Sequence, residues 1–209
     1  MPQLAAPIIS RNAHLLMWHL TETTKELKSF CRHKIPDYIH HTNRQLEWLA
    51  VRIMMQRHFT NHEELVIDYH VNGKPFLIPS IAHVSVSHSG DYVGLLIHPD
   101  KAVGLDIEVM NDRIKRITHK FVNEEERQWL GAEPVAIEKL YLIWSAKEAV
   151  FKLRGGGIDF KKHLNVMDPG LREEGSTVLF FDKEMERMEY TIHYHYLDGI
   201  LLVYSIAEN

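Results

Sequence analysis

Val103-Gly104-Leu105-Asp106-Ile107-Glu108 decides how the rest of the chain reads. Side chains alternate along a strand, so Leu105, Ile107 and Val109 share one face and Asp106 and Glu108 the other. Carboxylates two residues apart on a strand have Cα atoms roughly 6–7 Å apart, within reach of one hard cation. The apolar flanks predict a largely buried strand. A buried carboxylate pair costs several kcal/mol, and a divalent metal is one remedy. A strand with one wet face is the other reading the hexapeptide allows.

Working back from this strand, Tyr92 to Ile97 and His83 to Val86 read as strands, with Ser87-His88-Ser89-Gly90 as the turn between them. Asn72-Gly73 is a hairpin signal joining Leu65 to His70 with Lys74 to Pro79, whose two prolines suit an edge or an extended loop. Arg44 to Phe59 has apolar residues at helical spacing (Leu46, Leu49, Ala50, Ile53, Met54), with Asn43 as its expected N-cap. Arg44 in the first turn opposes the helix dipole, which a nearby anion would explain; an ordinary solvated arginine explains it too. Lys25 to His33 predicts a shorter helix capped by Thr23 or Thr24, and His14 to Leu20 a buried strand.

Working forward, Arg113 to Phe121 and Glu124 to Leu130 predict two short helices, the second capped by Asn123. Pro134 opens a long helix to about Arg154, ended by Gly155-Gly156-Gly157. Strands are expected at Leu164 to Met167, Thr177 to Phe181, Glu189 to Tyr196 and Ile200 to Ile206, with turns at Lys183 to Arg187 and Asp198-Gly199. The fold class is α+β with mostly antiparallel sheet.

Composition narrows the function. The chain has 209 residues, 45% hydrophobic and 25% charged, with a net charge of −4, so nothing favours bulk attraction to nucleic acid. One cysteine, Cys31, excludes an internal disulfide framework and suits a reducing compartment. No apolar run approaches the ~18–20 residues of a membrane span, and Met1 to Ser10 lacks the pattern of a signal peptide. A cytoplasmic location without membrane partners is expected. Fifteen histidines invite zinc, yet no HExxH or cysteine-based spacing occurs.

Two further segments bear on chemistry. In the long helix, Tyr141, Ser145, Glu148 and Lys152 form a stripe beside Leu140, Ile143, Trp144, Lys147 and Phe151. Glu148 and Lys152 make an i,i+4 pair in the favourable order. They equally offer a third carboxylate for a metal and a cation for phosphate. Mg²⁺ combines few carboxylates with waters and substrate phosphates, which Asp106, Glu108 and Glu148 suit. Ser87-His88-Ser89-Gly90 offers hydroxyls, an imidazole and backbone N–H groups to phosphate oxygens, or is simply a tight turn.

Gly73-Lys74-Pro75, Val86-Ser87-His88-Ser89, Val103 to Glu108 and Trp144-Ser145-Ala146-Lys147-Glu148-Ala149-Val150-Phe151-Lys152, in this order, resemble the motifs of the 4′-phosphopantetheinyl transferases of the longer, Sfp type. The resemblance implies two similar α+β halves related by a pseudo-twofold, residues 1–100 and 101–209, with coenzyme A in the cleft between them. It implies transfer of 4′-phosphopantetheine from coenzyme A to a serine of an apo acyl or peptidyl carrier protein, releasing adenosine 3′,5′-bisphosphate. Asp106, Glu108 and Glu148 become the ligands of Mg²⁺, with Mn²⁺ as the alternative ion. Glu148 is the candidate general base and Lys152 the cation at the pyrophosphate. His88, with Ser87 beside it, would contact the pyrophosphate. Lys74 and Arg44 would lie near the adenosine end and its 3′-phosphate, and Pro75 would be a further coenzyme A contact. A monomer is implied, because an internal pseudo-dimer needs no second copy. The competing expectation is a non-catalytic relative that binds coenzyme A or a carrier protein without turnover.

Overall fold

The computed structural model describes residues 3–4, 12–62, 64–131, 135–170 and 172–208. The chain divides into two compact units, Met1–Asp100 and Lys101–Asn209.

In the first unit, β1 (Gln3–Leu4), β2 (His14–His19), β5 (His83–Ser89) and β6 (Tyr92–His98) form a four-stranded antiparallel sheet in the order β1-β2-β6-β5. A separate hairpin pairs β3 (Val66–Tyr69) with β4 (Pro75–Ile78) across the Asn72-Gly73 turn, where Gly73 takes φ 82°. Helix α1 (Thr24–Phe30) starts with a capping box between Thr23 and Glu26. Helix α2 (Thr42–His58) buries Leu49, Ala50, Ile53 and Met54 in a core shared with Val93, Leu95 and Ile97 of β6.

Two differences from the sequence reading lie next to the residues expected to meet phosphate. Helix α2 begins at Thr42 with His41 as its N-cap and no side-chain capping bond, so Asn43 lies inside the first turn. The segment Ser87-His88-Ser89 is not a turn: it completes β5, pairing Ser87 with Gly94 and His88 with Val93. The local turn preference of serine yields to the ladder, and only Gly90 (φ 56°) and Asp91 separate the strands.

In the second unit, β7 (Val103–Val109), β8 (Leu164–Val166), β9 (Glu174–Lys183), β10 (Glu186–Leu197) and β11 (Ile200–Ile206) form an antiparallel sheet ordered β7-β11-β10-β9-β8. The strand of the opening hexapeptide therefore stands at one end of its sheet, not in the middle. Helices α3 (Ile114–Phe121), α4 (Glu124–Leu130), α5 (Ile137–Arg154) and α6 (Phe160–His163) complete the unit. The four-residue α6, capped by Asp159, was not foreseen from sequence. Pro134, the expected start of the long helix, lies outside the described residues. Asn123 caps α4 through a capping box with Glu126, and Gly155 ends α5 in the left-handed region (φ 90°, ψ 25°).

Helix α5 is buried nearly all round, as a helix with few exposed polar positions must be. Leu142, Ile143, Ala146, Ala149 and Val150 belong to a core that includes Leu179, Ile192, Leu201 and Val203 of the sheet. Its contact with β7 is set by Gly104, where a Cβ would lie 1.9 Å from the Ala149 carbonyl oxygen. Only glycine admits the helix backbone this close. Both units are α+β, with every paired strand among the described residues antiparallel.

Candidate active site

Gly104, Asp106 and Glu108 share one face of β7 by strand alternation. Because α5 rides over Gly104, that face is brought to the helix residues Trp144, Glu148 and Lys152. Lys152 Nζ donates to Asp106 Oδ1 at 2.8 Å, with the Asp106 side chain buried and that of Lys152 26% exposed. Trp144 Nε1 donates to Glu108 Oε1 at 3.0 Å, a contact for which the indole had no assigned role in the sequence reading. Glu148 lies between these pairs electrostatically. Burial first, then the negative charge of Asp106 and, more weakly, of Glu108 push its carboxyl up to about 7, against the opposing pull of Lys152.

These four residues form one cluster: three carboxylates, one ammonium. Hard oxygen donors suit Mg²⁺ in kind, and the mutual repulsion that raises Glu148 is what a divalent cation relieves. Among the described residues, no three His, Cys, Asp or Glu side chains stand together closely enough to hold a metal ion as they are. Mg²⁺ usually takes only one or two protein carboxylates and completes its shell with waters and phosphate oxygens. The donor set therefore fits such an ion without a preformed cage.

Lys147, the neighbour of Glu148, behaves differently. Its ammonium is fully buried and donates to the Phe121 carbonyl (2.7 Å), the Phe160 carbonyl (2.9 Å) and the Glu126 carboxylate (2.8 Å). Glu126 also accepts from the backbone N–H groups of Asn123 and Val166, both at 2.9 Å. Burial pushes the Glu126 carboxyl up and the Lys147 ammonium down, each opposed by the partner's charge. Sequence placed Glu126 as one of three acids in a helix's first turn. Nothing local announces a partner 21 residues away.

In the first unit, Arg44 and His88 meet at a cleft of about 600 Å³ also lined by Tyr38, Trp48, Arg52 and Tyr69. Arg44 Nη1 lies 2.8 Å from His88 Nε2 and 3.1 Å from Glu47 Oε2. Arg52, a residue only 8% exposed, holds its guanidinium carbon 4.1 Å from the Trp48 ring centre. Ser87 is buried on the opposite face of β5 from His88, so the two do not share this cleft. Lys74 and Pro75 lie at the β3–β4 turn and are not among its lining residues. Burial lowers the Lys74 ammonium.

The second unit is thus an antiparallel α+β unit with a carboxylate–lysine cluster where helix α5 crosses strand β7. Residues 102–204 match the family described as the 4′-phosphopantetheinyl transferase superfamily. The chain is 34% identical over 137 residues to the 4′-phosphopantetheinyl transferase psf-1 of Bacillus pumilus, covering 64% of this chain and 57% of that one. It is 33% identical over 118 residues to the 4′-phosphopantetheinyl transferase AcpT of Salmonella typhimurium, covering 54% and 60% respectively. The 4′-phosphopantetheinyl transferase gsp of Aneurinibacillus migulanus is 32% identical over 101 residues, covering 46% and 41%. The matches thus span less than two thirds of these relatives' own length. Residues 102–204 thus carry the match to the 4′-phosphopantetheinyl transferase superfamily, and the chain is similar to these transferases.

Proposed function

We propose that this protein transfers the 4′-phosphopantetheine group of coenzyme A to a serine hydroxyl of an apo acyl or peptidyl carrier protein. The observation that carries the reading is the cluster of Asp106, Glu108, Glu148 and Lys152 within the segment that matches this family. The serine oxygen attacks the β-phosphorus of coenzyme A. The bond from that phosphorus to the bridging oxygen breaks, and adenosine 3′,5′-bisphosphate leaves. The serine proton passes to Glu148, directly or through water. Without a metal, burial and Asp106 push this carboxyl up to about 7; a bound cation would lower it and favour the carboxylate form that accepts the proton. Lys152, oriented by Asp106, offsets charge on the pyrophosphate.

Asp106, Glu108 and Glu148 would hold Mg²⁺ or Mn²⁺, which supplies Lewis-acid stabilisation of the phosphoryl oxygens. Arg44 and His88 are proposed as phosphate contacts, and Lys74, Pro75 and Ser87 as further coenzyme A contacts. Monomeric state and cytoplasmic location complete the reading; no described helix is long and apolar enough to cross a membrane.

The test is intact-mass spectrometry of an apo carrier protein incubated with this protein, coenzyme A and Mg²⁺. A gain of roughly 340 Da that EDTA abolishes is expected. Coenzyme A binding with no mass gain on carriers of fatty acid, polyketide and peptide synthesis would replace transfer with silent binding. Independently of activity, Mg²⁺ should raise the melting temperature of the wild type more than that of Asp106→Asn.

A further inference from the structure

Glu47 was not singled out by sequence, yet it sits under both proposed phosphate contacts of the first unit. Its Oε2 lies 3.1 Å from Arg44 Nη1 and its Oε1 3.4 Å from His88 Nδ1. The Glu47 side chain is 15% exposed, whereas those of Arg44 and His88 are 62% and 36% exposed. A tucked-in carboxylate thus backs two exposed nitrogen-bearing groups that face the cleft.

The hydrogen-bond directions fix the state of the imidazole. Arginine has no acceptor and keeps its proton, so in the 2.8 Å contact Nη1 donates and His88 Nε2 accepts. The ring hydrogen then belongs to Nδ1, facing Glu47. His88 is neutral in this arrangement, and its Nε2 lone pair is engaged by Arg44. A phosphate oxygen only accepts hydrogen bonds here. It can take an N–H from Arg44 at once, but from His88 only when Nε2 carries a hydrogen; moving the Nδ1 hydrogen there would leave a lone pair facing the Glu47 carboxylate, so the favoured route is uptake of a second proton.

We propose that Glu47 is a positioning residue that makes phosphate binding at this cleft proton-linked. Arg44 turns from His88 to the anion, a proton from solvent adds to His88 Nε2, and the new N–H donates to the phosphate. Glu47 at Nδ1 balances the resulting imidazolium. The other charged and titratable groups of the cleft wall include Arg52, Asp68, His40 and His41, while the β6 partner of His88 is the apolar Val93. The inference rests on the reading of this cleft as a phosphate site, the role the proposed function gives it.

Isothermal titration of the full chain with coenzyme A, in buffers of different protonation heat at pH 7.5, measures the proton directly. Uptake should be about one proton greater for the wild type than for His88→Asn, a difference that removes the ligand's own titration. Wild-type affinity should weaken toward about tenfold per pH unit from 7.5 to 8.5, and less steeply in His88→Asn and Glu47→Gln. Equal uptake in the wild type and both variants overturns the proposal and leaves the transferase reading standing. Binding of inorganic pyrophosphate with a proton uptake that His88→Asn loses, without any coenzyme A binding, keeps this proposal and overturns the transferase reading. Binding of neither overturns both.

Discussion

Lys147 and Lys152 lie on the same helix, and each meets a carboxylate from a neighbouring element at 2.8 Å. Their surroundings are opposite. Lys147 and Glu126 are fully buried, with the ammonium donating to the carboxylate and two carbonyls. The pair ties α5 to the end of α3, the cap of α4, α6 and β8, and offers nothing to a ligand. Lys152 and Asp106 keep one partner partly exposed and stand beside a carboxyl already pushed up to about 7. A closed ion pair fixes where a helix sits; an open one leaves charge for a substrate to meet.

Breaking the closed pair has the largest expected effect. Lys147→Met or Glu126→Leu alone leaves an uncompensated buried charge and should cost about 3–5 kcal/mol in urea unfolding. The double variant should regain most of that loss, since a buried pair is often replaceable by apolar side chains of similar volume. Next, Gly104→Ala drives a Cβ into the Ala149 carbonyl. It should cost about 2–3 kcal/mol by the same measurement, because α5 must lift from β7.

Glu148→Gln sharpens the comparison at the open site through pH. Glu148 titrates near 4.5 when unfolded and at about 7 when folded. Between these values the folded state binds more protons, so this group's contribution to stability falls as pH rises through the window. In EDTA, the glutamine variant should therefore be more stable than the wild type above pH 7, by about 1–2 kcal/mol after allowing for partial exposure. The advantage should vanish near pH 4.5. Melting curves across pH read it directly, and an advantage independent of pH would remove the raised Glu148. The smallest effect belongs to Asp106→Asn, within about 1 kcal/mol in stability. The partly exposed Lys152 can turn to water, and one source of repulsion on Glu148 is lost.

The same contrast explains how much the sequence disclosed. The open site was legible because its parts are local: period-two alternation put Asp106 and Glu108 on one face, and helical spacing put Glu148 and Lys152 on one stripe. Asn123 and Gly155 announced the ends of α4 and α5 through chemistry confined to a few residues. The closed pair was not legible, since a first-turn glutamate and a mid-helix lysine look like surface residues until the chain is folded. Glu47 hid for the same reason, its i,i+3 relation to Arg44 being visible and its approach to His88 not. Ser87 to Ser89 misled because turn propensity is local and strand pairing with β6 is not.

The central claim is that the open pair carries the chemistry and the closed pair only the scaffold. The most direct measurement compares rates of phosphopantetheine transfer to an apo carrier protein by Glu126→Leu/Lys147→Met and by Asp106→Asn. The double variant should stay within about tenfold of the wild type, while Asp106→Asn should lose about 100-fold or more with its fold intact. An inactive but folded double variant beside an active Asp106→Asn would contradict the account.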